Sequence, residues 1–393
     1  MDPVRNPFAP GAGTPPPELA GRRSIITDID IALQRIAIGR PTQSAILVGL
    51  RGVGKTVLLN KAREIAEIKG YKAYLAEAHE GKTLPETIGP GLKSVLLSLS
   101  YVDSAKEHAR RGLRVLKSFF TKVSVSAGGF DIGLTLDAEP GSADSGDIEH
   151  DLPTLFLAVA EAAKAANRPV VLLIDELQYL SVKEFSALIM SIHRISQTNL
   201  PLTLVGAGLP QILALAGESK SYSEQLFKYP SIGALTDEDA IDAIVKPVRT
   251  EGAMVTDDAL REILRLTERY PYFLQQWGHD AWNAASGNVI TKMDVETATE
   301  QALATLDENF FKVRFDRCNP SEKKYMRALA ELGPGTQKSG DIANQAGQKT
   351  TSAAPTRNNL IKKGMIYSPR HGETAFTVPL FDAYMRRTMP ARE

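Results

Sequence analysis

Ala45-Ile46-Leu47-Val48-Gly49-Leu50-Arg51-Gly52-Val53-Gly54-Lys55-Thr56-Val57-Leu58-Leu59 is the stretch on which the fold turns. It starts as a short apolar strand, passes through G-x-x-x-x-G-K-T, and ends as the apolar opening of a helix. Glycines at 49, 52 and 54 let the main chain bend so that successive N–H groups converge on one point, a cradle for phosphate at a helix N-terminus. The expected nucleotide loop is therefore Gly49, Leu50, Arg51, Gly52, Val53, Gly54, Lys55, Thr56 and Val57. In it Lys55 supplies a point charge for β- and γ-phosphates, and Thr56 a hydroxyl ligand for Mg²⁺. ATP and Mg²⁺ are the cofactors this pattern calls for.

Working outward, Lys72 to Ala76 reads as a second strand. Val170-Val171-Leu172-Leu173-Ile174, bounded by Pro169 and by Asp175-Glu176, is a continuous apolar run of the kind found in strands buried on both faces. Leu202 to Gly206 is another. Helical patterns separate these runs, so the fold class is α/β, a P-loop NTPase with a parallel sheet flanked by helices. Asp175 stands where a strand-end carboxylate holds Mg²⁺, and Glu176 where a second carboxylate polarises the attacking water. Glu176 and Lys55 are the candidate catalytic residues; Thr56 and Asp175 are the candidate metal ligands.

The Gly49–Thr56 loop and the Asp175-Glu176 pair correspond to Walker A and Walker B, and a helical segment follows the sheet. Over residues 20–310 the chain resembles the AAA+ group, especially bacterial relatives of origin-recognition ATPases and the neighbouring STAND-type ATPases. The resemblance implies that Arg22 and Arg23, in Gly21-Arg22-Arg23, line the adenine pocket. It implies a base contact at Tyr270-Pro271, although the glycine of that element is replaced by Arg269. After the Leu202–Val205 strand such proteins place a polar sensor, whereas this chain has Gly206-Ala207-Gly208, with Thr203 the only polar residue nearby. Where relatives carry an arginine finger it has Ser223-Glu224-Gln225-Leu226, leaving Lys220, Lys228 or Arg194 to supply a cation. Slow hydrolysis, suited to a switch, is the expectation.

The remaining chain divides by composition and pattern. Residues 1–20 form a Pro-rich arm, with six prolines between Pro3 and Pro17, expected to be extended rather than packed. Residues 21–233 read as the ATPase core. Within it, Val123 and Val125, Gly128-Gly129, and Ile132, Leu134 and Leu136 suggest a β-hairpin insertion over 122–137. Residues 234–310 read as a helical lid, with Thr236 and Thr256 as helix caps followed by acidic first turns. Residues 311–393 follow the order helix, helix, helix, hairpin, which is that of a winged helix-turn-helix.

Overall charge is zero, from 46 basic and 46 acidic residues. Residues 311–393 hold 15 Lys/Arg against 7 Asp/Glu, a local +8, and the rest hold 31 against 39, a balancing −8. A basic terminal module points to an anionic partner. Ser352, Thr356, Arg357, Asn358, Lys362 and Lys363 on the second helix of the turn pair, and Arg370 on the wing, are the candidate contacts to double-stranded DNA. The competing reading is a STAND-type regulatory scaffold whose winged helix docks a protein partner. Self-association is compatible with either. One cysteine, Cys318, excludes an internal disulfide. No apolar run approaches the ~20 residues of a membrane span, and a cytoplasmic protein is expected.

Overall fold

Val170–Asp175 forms the interior strand β3, with every residue buried, as its uninterrupted apolar sequence requires. In the computed structural model, which describes residues 1–11, 13–126, 133–220 and 223–390, it pairs in parallel with β2 (Lys72–Glu77) and β4 (Leu202–Gly208). Leu172 lies opposite Tyr74 on one side and Leu204 on the other. The phosphate-loop strand β1 (Ser44–Gly49) pairs with β4, and β5 (Phe227–Lys228) with β1, so the path is β2-β3-β4-β1-β5. A further short strand, β6 (Ser231–Ile232), follows. Parallel pairing sends all the strand C-termini to one edge, which is where open α/β sheets bind ligands. That edge carries Gly49, Asp175 and Gly208.

The chain divides into two compact units. One is Ser24–Gly49 with Lys55–Ser231; the other is Met1–Arg23, Leu50–Gly54 and Ile232–Glu393.

In the first unit the sheet is flanked by α1 (Arg23–Ala37), α2 (Lys55–Ile68), α3 (Leu84–Ser100), α4 (Lys106–Ser126), α5 (Ile148–Ala165) and α6 (Val182–Thr198). The short α7 (Ile212–Ser219) and α8 (Ser223–Leu226) follow β4. Capping boxes start α3, through Thr83 and Glu86, and α6, through Ser181 and Glu184. Glu184 also accepts the N–H of Leu84 at 2.6 Å, fastening one helix start to the other. Helix α3 comes close to its neighbours because it carries glycines. A Cβ on Gly91 would fall 2.1 Å from the Tyr74 ring, and one on Gly89 would fall 2.2 Å from Phe120.

The hairpin expected over 122–137 is corrected in its first arm. Helix α4 continues through Val123 and Val125 to Ser126, and no strand is assigned between 133 and 137. Two alternating valines are too short a signal to stop a helix already propagating over many residues. The glycine pair at 128–129 lies outside the described residues.

The second unit contains α9 (Asp237–Thr250), α10 (Asp257–Thr267), α11 (Pro271–Ala284) and α12 (Lys292–Leu306), with the strand pair β7 (Met254–Val255) and β8 (Val289–Ile290). Thr236 and Thr256 cap α9 and α10, as their acidic first turns suggest. A π-helical turn at Asp307–Phe311 and the short α13 (Lys312–Phe315) lead into the C-terminal module. Its elements are α14 (Pro320–Glu331), β9 (Gln337–Lys338), α15 (Ser339–Gln345), α16 (Thr350–Lys362), β10 (Ile366–Tyr367), β11 (Glu373–Phe376) and α17 (Phe381–Thr388). The strands form an antiparallel sheet in the order β10-β11-β9. Three helices and a hairpin thus follow the expected order, with α17 added.

The Pro-rich arm is not the unpacked segment its composition suggests. Phe8 is buried at 3% exposure over Gly278, where a Cβ would lie 2.8 Å from the Phe8 ring. The Trp282 indole donates to the Asp2 carbonyl at 2.9 Å, and Asn6 donates to the His279 carbonyl at 2.9 Å. One aromatic anchor and several hydrogen bonds to α11 offset the ordering entropy that proline content had already reduced.

Candidate nucleotide site

In the α/β unit, four side chains gather where β1 and β3 end. Lys55, the first residue of α2, is 6% exposed and donates from Nζ to the Gly49 carbonyl at 2.9 Å. Thr56 Oγ1 donates to Asp175 Oδ2 at 2.6 Å. The other carboxylate oxygen of Asp175 accepts the Glu176 N–H at 2.8 Å. Burial pushes the Asp175 carboxyl above its ordinary range; the nearby Glu176 charge adds to this, and the Thr56 hydrogen bond and Lys55 only partly oppose it. A buried carboxylate that ionises at a cost, beside a hydroxyl, is a hard-oxygen donor pair suited to Mg²⁺. Among the described residues no group of three or more His, Cys, Asp or Glu is placed to hold a metal ion.

Glu176 sits in left-handed backbone, with φ of 55°. Non-glycine residues adopt this region at a cost, and it turns the side chain sharply off the strand. Its Oε2 accepts a hydrogen bond from the Gln178 amide, whose own oxygen accepts the Leu209 N–H at 2.9 Å. A Cβ on Gly208 would stand 3.1 Å from that amide oxygen, so the small residue leaves room for it. Gln178 thus links the end of β4 to Glu176. Thr203 does not: it lies near the start of β4, bonded to Ser44 at 3.1 Å, in register with Val171. The sequence signal for Gln178 was its place two residues after Glu176, together with the small Gly206-Ala207-Gly208 run.

In the other unit, Leu50–Gly54 is gripped through its main chain. The Tyr270 hydroxyl donates to the Arg51 carbonyl. The Tyr272 N–H donates to the Gly52 carbonyl at 3.2 Å, and the Arg22 guanidinium to the Val53 carbonyl at 3.4 Å. Arg22 also donates to the Gly233 carbonyl at 2.6 Å. The Arg51 N–H donates to the Thr377 carbonyl at 3.4 Å. Gly52 and Gly54 have φ of 80° and 94°, conformations open to glycine. Tyr270 and Arg22, expected beside adenine, are both buried and bonded to the loop. Burial raises the Tyr270 hydroxyl pKa and lowers that of Arg22, the latter partly offset by Asp239. Arg23 is exposed, and Pro271 opens α11.

In the C-terminal module, two of the expected DNA contacts are already bonded internally. Arg357 is spent inside the module. It donates to Thr374 Oγ1, Ser368 Oγ and the Glu373 carbonyl, each at 2.9 Å, bracing α16 against the β10–β11 hairpin. Lys363 pairs at 2.7 Å with Glu322, which is almost fully buried, and donates to the Arg317 carbonyl. The helical spacing puts both residues on one helix, whereas Lys363 caps the C-terminus of α16, and spacing could not show these long-range acceptors. Ser352, Asn358, Lys362 and Arg370 are exposed, as are Lys338 and Lys349, and Thr356 is half-buried.

No described helix is long and apolar enough to cross a membrane.

Residues 18–205 match an AAA ATPase domain, and residues 308–385 match a domain of unknown function, DUF8462. No curated protein sequence matches the chain. Among solved structures, it is similar to the Aeropyrum pernix Orc1 protein in complex with DNA, at 13% identity and a TM-score of 0.48, covering 98% of this chain and 96% of that one. It is similar to Cdc6p from Pyrobaculum aerophilum at 14% identity and 0.45, covering 98% and 97%. It is also similar to the Thermotoga maritima RuvB Holliday junction branch migration motor at 13% and 0.43, covering 95% and 97%. Identities and TM-scores this low carry no weight for what the chain binds.

Proposed function

We propose that this chain, an AAA ATPase over residues 18–205, works as an ATP-controlled switch whose basic C-terminal module binds double-stranded DNA. The observation that carries the nucleotide half is the 2.6 Å pair between Thr56 and Asp175 beside a buried Lys55. Thr56 and Asp175 hold Mg²⁺, and Lys55 neutralises the β- and γ-phosphates. When bound, the ion shields charge on the phosphates. Glu176, held by Gln178, accepts a proton from the attacking water. Hydrolysis is slow, because Ser223-Glu224-Gln225-Leu226 offers no cation where an arginine would stabilise the transition state. Functionally the chain divides into an arm (1–20), a core (21–233), a lid (234–310) and a winged helix (311–393).

The DNA half rests on the +8 charge of residues 311–393 and on exposed Lys338, Lys349, Lys362 and Arg370. Each phosphate neutralised releases counterions, so affinity falls steeply with salt. A titration with duplex DNA at two salt concentrations, with and without ATP, tests it. Salt-dependent binding that shifts with ATP supports the reading, and none at low salt defeats it.

The internal use of Arg357 and Lys363 favours a second reading, in which the module docks a protein. A salt-insensitive protein complex, without DNA binding, selects that alternative.

A further inference from the structure

Three consecutive peptide groups of the phosphate loop are held by their carbonyl ends. A trans peptide is planar, so its N–H points opposite to its C=O. Fixing the carbonyls of Arg51, Gly52 and Val53 therefore fixes the directions of the Gly52, Val53 and Gly54 N–H groups. These are the groups that a concave nest of N–H donors directs at an anion. Among the described residues none of the three N–H groups donates to a protein acceptor. The donors on the carbonyl side are the Tyr270 hydroxyl, the Tyr272 N–H and the Arg22 guanidinium. Close approach confirms the grip: a Cβ on Gly52 would stand 3.2 Å from both the Tyr270 ring and Tyr272 Cβ.

We infer that Tyr270 and Arg22 are positioning residues that preset the phosphate loop, rather than groups that recognise the adenine base. This rests on the nucleotide reading above and deepens it. The Tyr270 hydroxyl turns the Arg51–Gly52 peptide, and Arg22 turns the Val53–Gly54 peptide. The Tyr272 main chain turns the peptide between them. The cradle thus stands formed before phosphate arrives, and binding does not have to order it. The α- and β-phosphates are common to ATP and ADP, so the effect is shared by both. Base identity plays no part in it.

Tyr270→Phe is the test, because it keeps the ring against Phe273, whose centroid is 5.2 Å away, and deletes only the O–H. Calorimetric titrations with Mg-ATP, Mg-ADP and Mg-GTP are run beside steady-state hydrolysis. Expected is a rise in Kd of roughly three- to tenfold, the net worth of one hydrogen bond, equal for ATP and ADP. KM for ATP rises by the same factor while kcat stays within about twofold, the signature of lost uniform binding. The ATP-to-GTP preference does not change. Wild-type affinity in Tyr270→Phe overturns the inference, as does a fall in kcat at constant KM, or a change confined to base preference. Arg22→Gln gives the same signature by an independent donor if Tyr270→Phe fails to fold. A wild-type chain that takes up no ATP defeats the nucleotide reading itself. Binding that is lost in Lys55→Ala but intact in Tyr270→Phe defeats the inference alone.

Discussion

Gln178 donates its amide N–H to the carboxylate of Glu176, and its amide oxygen is anchored by the Leu209 N–H at 2.9 Å. Glu176 is therefore held from the end of β4, though that strand itself ends in Gly206-Ala207-Gly208. Gln178→Ala removes this hold on the carboxylate. Hydrolysis is expected to slow by roughly tenfold, with ATP affinity unchanged, since one orienting hydrogen bond is lost and no phosphate contact is touched. Glu176→Gln is expected to keep ATP and stop turnover. Single-turnover rates and binding titrations measure both; comparable hydrolysis by Glu176→Gln means the water is activated elsewhere.

The basic module yields a contrast between two kinds of arginine and lysine. Lys362→Ala with Arg370→Ala removes exposed charge, so duplex affinity drops uniformly across sequences and the salt slope falls by about two. Arg357→Ala instead removes the brace between α16 and the β10–β11 hairpin. Its main effect is then on stability, read as a lower denaturation midpoint. A Lys362/Arg370 double variant with an unchanged salt slope argues for the protein-docking alternative.

Cys318 is 6% exposed, and its thiol is pushed up to about 11, first by burial and then by Glu322. At pH 8 native protein is expected to react with iodoacetamide far more slowly than urea-unfolded protein. The sign for stability follows from the same shift. Between 9.0 and about 11 the unfolded chain gives up the thiol proton first, so stability falls as pH rises through that window and is complete below it. Cys318→Ala should flatten that part of the alkaline decline in the urea midpoint. Equal labelling rates in the folded and unfolded states contradict the burial argument.

What could be read from the chain was local. The continuous apolar run of β3 announced a strand buried on both faces, and Asp175-Glu176 at its end announced a carboxylate pair. Glycines at 52 and 54 announced the left-handed turns that the loop adopts. Thr236 and Thr256 announced helix starts that their side chains do cap. What could not be read was where polar groups find partners far away in sequence. Arg357 looks like a base reader by helix spacing, yet its acceptors in the structure lie on β11 and at Ser368 in the turn before it. Tyr270 and Arg22 meet the phosphate loop across hundreds and tens of residues respectively. Val123 and Val125 alternate as strand residues do, yet the amphipathic helix running into them carries them along.

Gly91 tests the close approach of α3 to β2. Its Cβ position would fall 2.1 Å from the Tyr74 ring, and ring and helix are both backed by core. Gly91→Ala is expected to cost roughly 1–3 kcal/mol, as overpacking does, despite the better helix propensity of alanine. Urea unfolding with an unchanged slope and a lower midpoint is the expected result. An unchanged midpoint would show that Tyr74 can move aside freely.

Titration of the purified chain with ATP in the presence of Mg²⁺ tests the central claim most directly. The account predicts saturable binding of about one nucleotide per chain, lost in Lys55→Ala and made insensitive to Mg²⁺ in Asp175→Asn. No uptake by the wild-type chain, or equal uptake by Lys55→Ala, would contradict it.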